Sequence, residues 1–365
     1  MMLTKGDDFP IHQTPEPIAY SGTDRNFYDR YFFNGYSADG SNFFAIAFGV
    51  YPHLNVADAH FSCIRGDTQH CLHASRLLDM ERMDLSVGPI QIEILEPLKR
   101  LRVVIDQQDG ISADLSFTGR AFPVEEPRFT RRIGPRTFMD YTRLTQNGHW
   151  QGWIEVDGVR TDVSGSIGTR DRSWGIRPIG VSDPQPTVPQ MVPQFYWMWS
   201  PVNFGDTSLY FHINADQYGR PWNTRLAFVP DGAQPEAMLE TEDCHLDVEL
   251  KPGWRHAAAA ELSAALPDGR ILEARFEPGT PFLMRGLGYG HPDWTHGGWK
   301  GPLVVEREDI DLASITAGRA DHLHIQAISK VHLTLDGKTQ TGVGILEQLI
   351  LGAYDPLALT SIFND

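Results

Sequence analysis

Six Asp-Gly pairs constrain the fold of this 365-residue chain more than any other feature: Asp39-Gly40, Asp109-Gly110, Asp157-Gly158, Asp231-Gly232, Asp268-Gly269 and Asp336-Gly337. Both residue types accept the positive φ of a tight hairpin turn, and flanking alternation of apolar and polar residues marks the paired strands. The clearest predicted hairpin runs from Leu101 to Arg120. After its turn Ile111, Ala113, Leu115 and Phe117 share one face, and Ser112, Asp114, Ser116 and Thr118 the other. Further strands are predicted over Phe43–Val50, Trp150–Val156, Ser208–Ile213, Thr224–Val229, Ile271–Phe276, His322–Ile328 and Val331–Leu335. Helical patterning is confined to Ala74–Met80 and Asp355–Ile362. Short strands joined by turn chemistry predict a mainly β chain, a sandwich or antiparallel barrels.

The length fits two domains. Gly165 follows Gly158 at the same distance as Gly344 follows Gly337, so two hairpins half a chain apart echo each other and suggest two similar halves. Between them Pro178–Pro193 carries five prolines, which cannot join β ladders and read as a crossing or a loop over a barrel mouth. The expected division is an N-terminal barrel over 1–182 and a C-terminal barrel over 183–365.

A formal charge of −16 argues against a nucleic-acid partner, which needs clustered Lys and Arg, and against docking on anionic lipid. Cys63, Cys71 and Cys244 are too few and scattered for a disulfide framework, and no CxxC spacing suggests zinc. Met1 to Pro10 contains Asp7 and Asp8 and no apolar core, so it does not read as a signal peptide. No apolar run is long enough to span a membrane, and a cytoplasmic location is expected by default. No GxSxG elbow, P-loop or Rossmann glycine fingerprint occurs, so no nucleotide or redox cofactor is implied. The sequence leaves a homodimer open.

The densest cluster of chemistry is Arg170-Asp171-Arg172-Ser173-Trp174-Gly175, followed by Arg177. Arginines on either side of Asp171 would hold it ionised, whereas an apolar barrel would raise its pKa and make it a proton donor; the sequence does not choose. The planar Arg forks also suit a ligand carboxylate or phosphate. In Phe195-Tyr196-Trp197-Met198-Trp199, a strand puts Phe195, Trp197 and Trp199 on one face, where they could line an apolar cavity and stabilise a carbocation. The Gly- and Pro-rich stretch Tyr289–Lys300 reads as a lid in which Trp294 and Trp299 close on a ligand. Its His291, Asp293 and His296 suit acid–base work but fit no helical zinc pattern, and no metal is expected there. His322 and His324 would share a strand face as a two-His half-site, and Asp24–Tyr31 reads as a strand or plug sealing one barrel.

A charged motif ending in Trp174-Gly175 at mid-chain, a two-half layout and the closing Gly342-Val343-Gly344-Ile345-Leu346-Glu347 resemble the carotenoid 1,2-hydratase, AttH-like and tocopherol cyclase-like group of tandem lipocalin-like (calycin) proteins. The resemblance is nearest to the uncharacterised bacterial members. It implies two lipocalin-like barrels packed together and a cavity for an apolar, isoprenoid-like or polycyclic ligand. It also implies hydratase or cyclase chemistry in which an acid protonates an alkene. Asp171 is the position that carries over as that acid; His is common beside it in the group, and here its neighbours are Arg170 and Arg172. In this reading Arg170, Arg172 and Arg177 orient the acid or a ligand anion, and Trp174, Trp197 and Trp199 shape the cavity. Tyr196 and His291 are secondary acid–base candidates. Two rival readings need no chemistry: a carrier of a hydrophobic ligand, and an interaction scaffold whose barrels are filled by side chains.

Overall fold

The structure, a computed structural model, describes residues 15–180, 182, 185 and 192–363. The Met1–Pro10 reading and much of the Pro178–Pro193 stretch lie outside the described residues.

Among the described residues twenty-two strands follow in order: β1 (Phe27–Tyr36), β2 (Phe43–Tyr51), β3 (Val56–Arg65), β4 (Thr68–Leu77), β5 (Ser86–Val87), β6 (Ile90–Glu96), β7 (Arg100–Gln108), β8 (Ile111–Gly119), β9 (Val124–Ile133), β10 (Arg136–Val156), β11 (Val159–Asp162), β12 (Ile167–Ile176), β13 (Phe195–Asn203), β14 (Thr207–Ala215), β15 (Pro221–Pro230), β16 (Leu239–Thr241), β17 (Cys244–Leu250), β18 (Ala257–Ala265), β19 (Ile271–Leu283), β20 (Leu303–Asp311), β21 (Ile325–Leu335) and β22 (Lys338–Leu351). These strands pair antiparallel, in two sheets. The first holds β1 to β12 and also β20, which pairs with β4; the second holds β13 to β19, β21 and β22. Each sheet curls into a near-closed barrel: β5 and β6 return against β3, and β17 against β15.

Three cores follow. Phe33, Phe44, Phe48, Phe117 and Trp150 fill the first barrel, and Met198, Phe211, Phe276 and Leu333 the second. A third core, with Tyr28, Phe32, Phe129, Tyr141, Trp197 and Trp199, lies between them. Strands such as β2 therefore bury both faces and read as an unbroken apolar run.

Three Asp-Gly pairs make the expected two-residue turns, with φ of 49°, 50° and 52° at Asp109, Asp157 and Asp336. Asp39-Gly40 and Asp268-Gly269 sit in longer hairpin loops. Asp231-Gly232 is no hairpin: Arg120 holds Asp231 by a two-pronged ion pair at 2.9 and 3.0 Å, and Gly232 N–H donates to the Arg120 carbonyl. The glycine echo has no structural counterpart either. Gly165 turns the chain after β11, whereas Gly344 lies inside β22.

Both helical expectations fail. Ala74 lies in β4, whose two faces are both covered, so the period-two signature is erased. Of Asp355–Ile362 only Asp355–Leu357 is helical, a single 3-10 turn closed by a Tyr354–Leu359 bridge. His322 ends another 3-10 turn and β21 begins only at Ile325, so His322 and His324 share no strand face.

Candidate functional site

The charged motif falls on β12, a central strand between β1 and β10. The pleat sends alternate residues to opposite faces. Arg170, Arg172 and Trp174 face the first barrel's own cavity, and Asp171 faces the space between the barrels. The adjacent arginines thus leave Asp171 on its own side of the sheet. Gly175 sits at φ +136°, where an added Cβ would lie 2.3 Å from the Asp140 carbonyl oxygen, which explains the glycine of the Trp-Gly pair.

On the inter-barrel side, Asp171 stands opposite Phe32 of β1 and Thr145 of β10, both buried. Its charged surroundings are Arg143, Glu126, Arg30 and Glu347. Three buried or partly buried carboxylates here have opposite environments. Glu126 accepts from Thr145 Oγ1 at 2.6 Å and Trp199 Nε1 at 3.1 Å, and pairs with Arg143 at 3.5 Å. Glu347 accepts from Trp197 Nε1 at 2.9 Å and Gln326 Nε2 at 2.6 Å, and meets His324 Nε2 at 2.8 Å. Burial alone would raise both, yet Arg143 and His212 at Glu126, and the His324, Gln326 and Trp197 contacts at Glu347, hold each below the ordinary carboxylate range. The Asp171 carboxyl accepts no hydrogen bond among the described residues. Burial pushes its pKa from 3.8 up to about 7, with Glu126 and Glu347 adding to the rise and Arg143 and Arg30 opposing it. The three carboxyls are thereby set apart: burial favours the protonated form of Asp171, while Glu126 and Glu347 are held as anions.

Arg143 lies 5.0 Å from the Trp197 ring centre, 5.1 Å from Phe129 and 5.9 Å from Trp199. The cation that the expected aromatic row holds here is an arginine of the protein. Arg30 and Arg177 approach His296 Nδ1 at 3.1 and 3.3 Å, and both lie over the ring of Tyr289. His296 Nε2 contacts the Leu287 carbonyl at 2.7 Å, so its Nε2 carries the proton. Burial, with Arg30 and Arg177 alongside, drives its pKa well down and keeps it neutral.

On the other side, Arg170, Arg172 and Trp174 line a cavity of about 830 Å³ at the first barrel's mouth. Arg172 pairs with Asp29 at 2.9 Å and covers Tyr31. Of the stretch Asp24–Tyr31, Phe27–Tyr31 opens β1 and Asp24–Asn26 form the turn before it, with Asp29 and Tyr31 on this cavity and Arg30 on the inter-barrel side.

The remaining candidates lie elsewhere. Tyr196 is inside the second barrel, stacked on Tyr354 at 4.0 Å, because the pleat that sends Trp197 to the interface turns Tyr196 away. His291 anchors its loop: Nδ1 accepts from Asp293 and Trp294 N–H at 3.0 and 2.8 Å, and Nε2 meets Glu308 at 3.1 Å. Trp294 is buried and stacks on His73, whereas Trp299 is 56% exposed on the surface. From this loop Tyr289 and His296 reach the inter-barrel side, where both meet Arg30 and Arg177.

His291, His73, His60 and His296 form a buried column, with His60 Nδ1 2.8 Å from His73 Nδ1. Cys71, His73 and Glu308 bring potential metal ligand atoms within 4.8 Å of one another. Glu308 is already held by Arg285 and His291, and burial keeps the Cys71 thiol protonated. Sequence reasoning missed Arg30, Glu126, Arg143 and Tyr289; the available signal was the alternation of Tyr28, Arg30 and Phe32, and of Tyr141, Arg143 and Thr145.

The sequence pattern of a family described as "Family of unknown function (DUF8625)" matches residues 3–360. The chain belongs to DUF8625. No curated protein matches it. Among solved structures this DUF8625 chain is similar to CghA with Sch210972, at TM-score 0.50 and 11% identity over 90% of this chain and 89% of that one. CghA in a second structure gives 0.48 and 11% over 90% and 89%. Kievitone hydratase from Nectria haematococca gives 0.47 and 11% over 89% and 90%. Among the described residues no helix is long and apolar enough to cross a membrane.

Proposed function

We propose that the space between the barrels is an active site in which Asp171 is a general acid acting on an apolar, isoprenoid-like or polycyclic molecule, in a hydratase- or cyclase-type reaction. One observation carries this reading: the Asp171 carboxyl has no hydrogen-bond partner among the described residues and a pKa raised to about 7, while Glu126 and Glu347 nearby stay ionised. In the proposed step the Asp171 carboxyl gives its proton to one alkene carbon and the neighbouring carbon becomes cationic. Water then adds and returns a proton to the Asp171 carboxylate, or a second double bond attacks the cation and the new ring loses a proton to the same carboxylate, which restores the acid. Glu126 and Glu347 would stabilise the cation electrostatically. Arg30 and Arg177 would hold a polar end of the substrate, with Trp197 and Trp199 as walls. The resemblance to the tandem lipocalin-like hydratases and cyclases supports the same acid. We further place the domain boundary at 182/183, with β20 lent by the second half to the first sheet.

A carrier without chemistry is the rival, favoured by Arg143 lying against the Trp197 and Trp199 rings. The test is solvent extraction and mass spectrometry of the chain purified from its own host, then incubation of the recovered compound in H2(18)O. A product heavier by one labelled water, or an isomer of unchanged mass, lost in Asp171→Asn, supports the enzyme. A ligand recovered unaltered with both proteins supports the carrier.

A further inference from the structure

We infer that the mouth of the first barrel is a second binding site, separate from Asp171, built for a long-chain carboxylic acid whose carboxylate meets Arg170. The cavity of about 830 Å³ is in the range of small-molecule sites, and Phe27, Tyr31, Leu85, Ile94, Leu101 and Leu144 give it apolar walls. Its charged groups do not balance. Arg82, Arg170 and Arg172 line it against Asp29 and an exposed Glu16, and Asp29 is shared between Arg172 at 2.9 Å and Arg82 at 3.7 Å.

Arg170 is 3% exposed; its Nε donates to Gln146 Oε1 at 2.7 Å, and its Nη2 is buried with no partner. A guanidinium keeps its charge in a protein, and a buried cation without a counter-charge is costly. Burial accordingly draws the Arg170 pKa down to about 10, the largest cause being desolvation. The next residue, Asp171, cannot neutralise it by direct contact, because the pleat puts the two on opposite faces of β12. A ligand carboxylate on Nη2 would supply the missing anion, and the apolar walls would take the hydrocarbon tail. One unpartnered guanidinium nitrogen beside an apolar cavity suits a single carboxylate on a chain rather than a small hydrophilic anion.

Isothermal titration of the full chain with laurate and with its neutral twin, dodecanol, tests this. Laurate is expected to bind at least tenfold more tightly than dodecanol. Arg170→Gln should remove that preference and leave dodecanol unchanged, and Leu144→Trp should block both by filling the cavity with Arg170 intact. Asp171→Asn should alter neither, which separates this site from the proposed active site. Equal affinities for the two probes, no binding of laurate, or an unchanged preference in Arg170→Gln would each overturn the inference.

Discussion

The Glu126–Arg143 pair gives the sharpest energetic prediction. Both are buried between the barrels, 3.5 Å apart, with the guanidinium among the Phe129, Trp197 and Trp199 rings. Glu126→Gln keeps an acceptor for Thr145 and Trp199 but leaves Arg143 without its anion. Breaking one side of such a pair costs about 3–5 kcal/mol. Arg143→Met fills the aromatic cage but strands Glu126, at a similar cost softened by the carboxyl taking up a proton. In the double variant neither charge remains, so its loss should be close to one single variant rather than the sum, a coupling of about 2–4 kcal/mol. Urea denaturation followed by tryptophan fluorescence and circular dichroism would measure it, given coincident transitions. Single costs that add to within about 0.5 kcal/mol would refute the argument that the two charges neutralise each other.

Three further outcomes are expected. Asp171→Asn should stabilise the chain at alkaline pH: a folded pKa of about 7 against 3.8 favours the protonated folded state. The wild-type carboxyl therefore costs nothing below about pH 4, and its penalty grows towards pH 7 and then levels off, at no more than about 4 kcal/mol given its partial exposure. Denaturation of both proteins from about pH 4 to 8 should show curves that diverge as pH rises; parallel curves would count against it. Gly175→Ala should lower stability by about 2–3 kcal/mol or more in thermal unfolding, since φ +136° and a Cβ 2.3 Å from the Asp140 carbonyl oxygen are both unfavourable. Tyr196→Phe keeps the stack on Tyr354, should cost about 1 kcal/mol in the same assay, and should leave turnover unchanged.

Local chemistry made much of the fold legible. Asp109-Gly110, Asp157-Gly158 and Asp336-Gly337 announce their turns because a positive φ at a non-glycine residue is a local demand. The motif on β12 and Glu347 in the closing stretch are likewise visible as residues. Hidden from the sequence was which face each one takes. Arg170 and Arg172 flank Asp171 along the chain, yet the pleat removes them from its side and leaves Arg143, 28 residues earlier, as the charge that acts on it most. Where both strand faces are buried, as in β2 and β4, no polar residue marks the solvent side, and Ala74–Met80 then passes for a helix. The pairing of β20 with β4 depends on contacts more than 200 residues apart, which no window of sequence reports.

The most direct measurement is a carbon-13 NMR titration of the Asp171 carboxyl, assigned by its loss in Asp171→Asn. The account predicts a midpoint near 7. A midpoint near the ordinary 3.8 would leave Asp171 ionised at neutral pH and contradict the proposal that it is the acid.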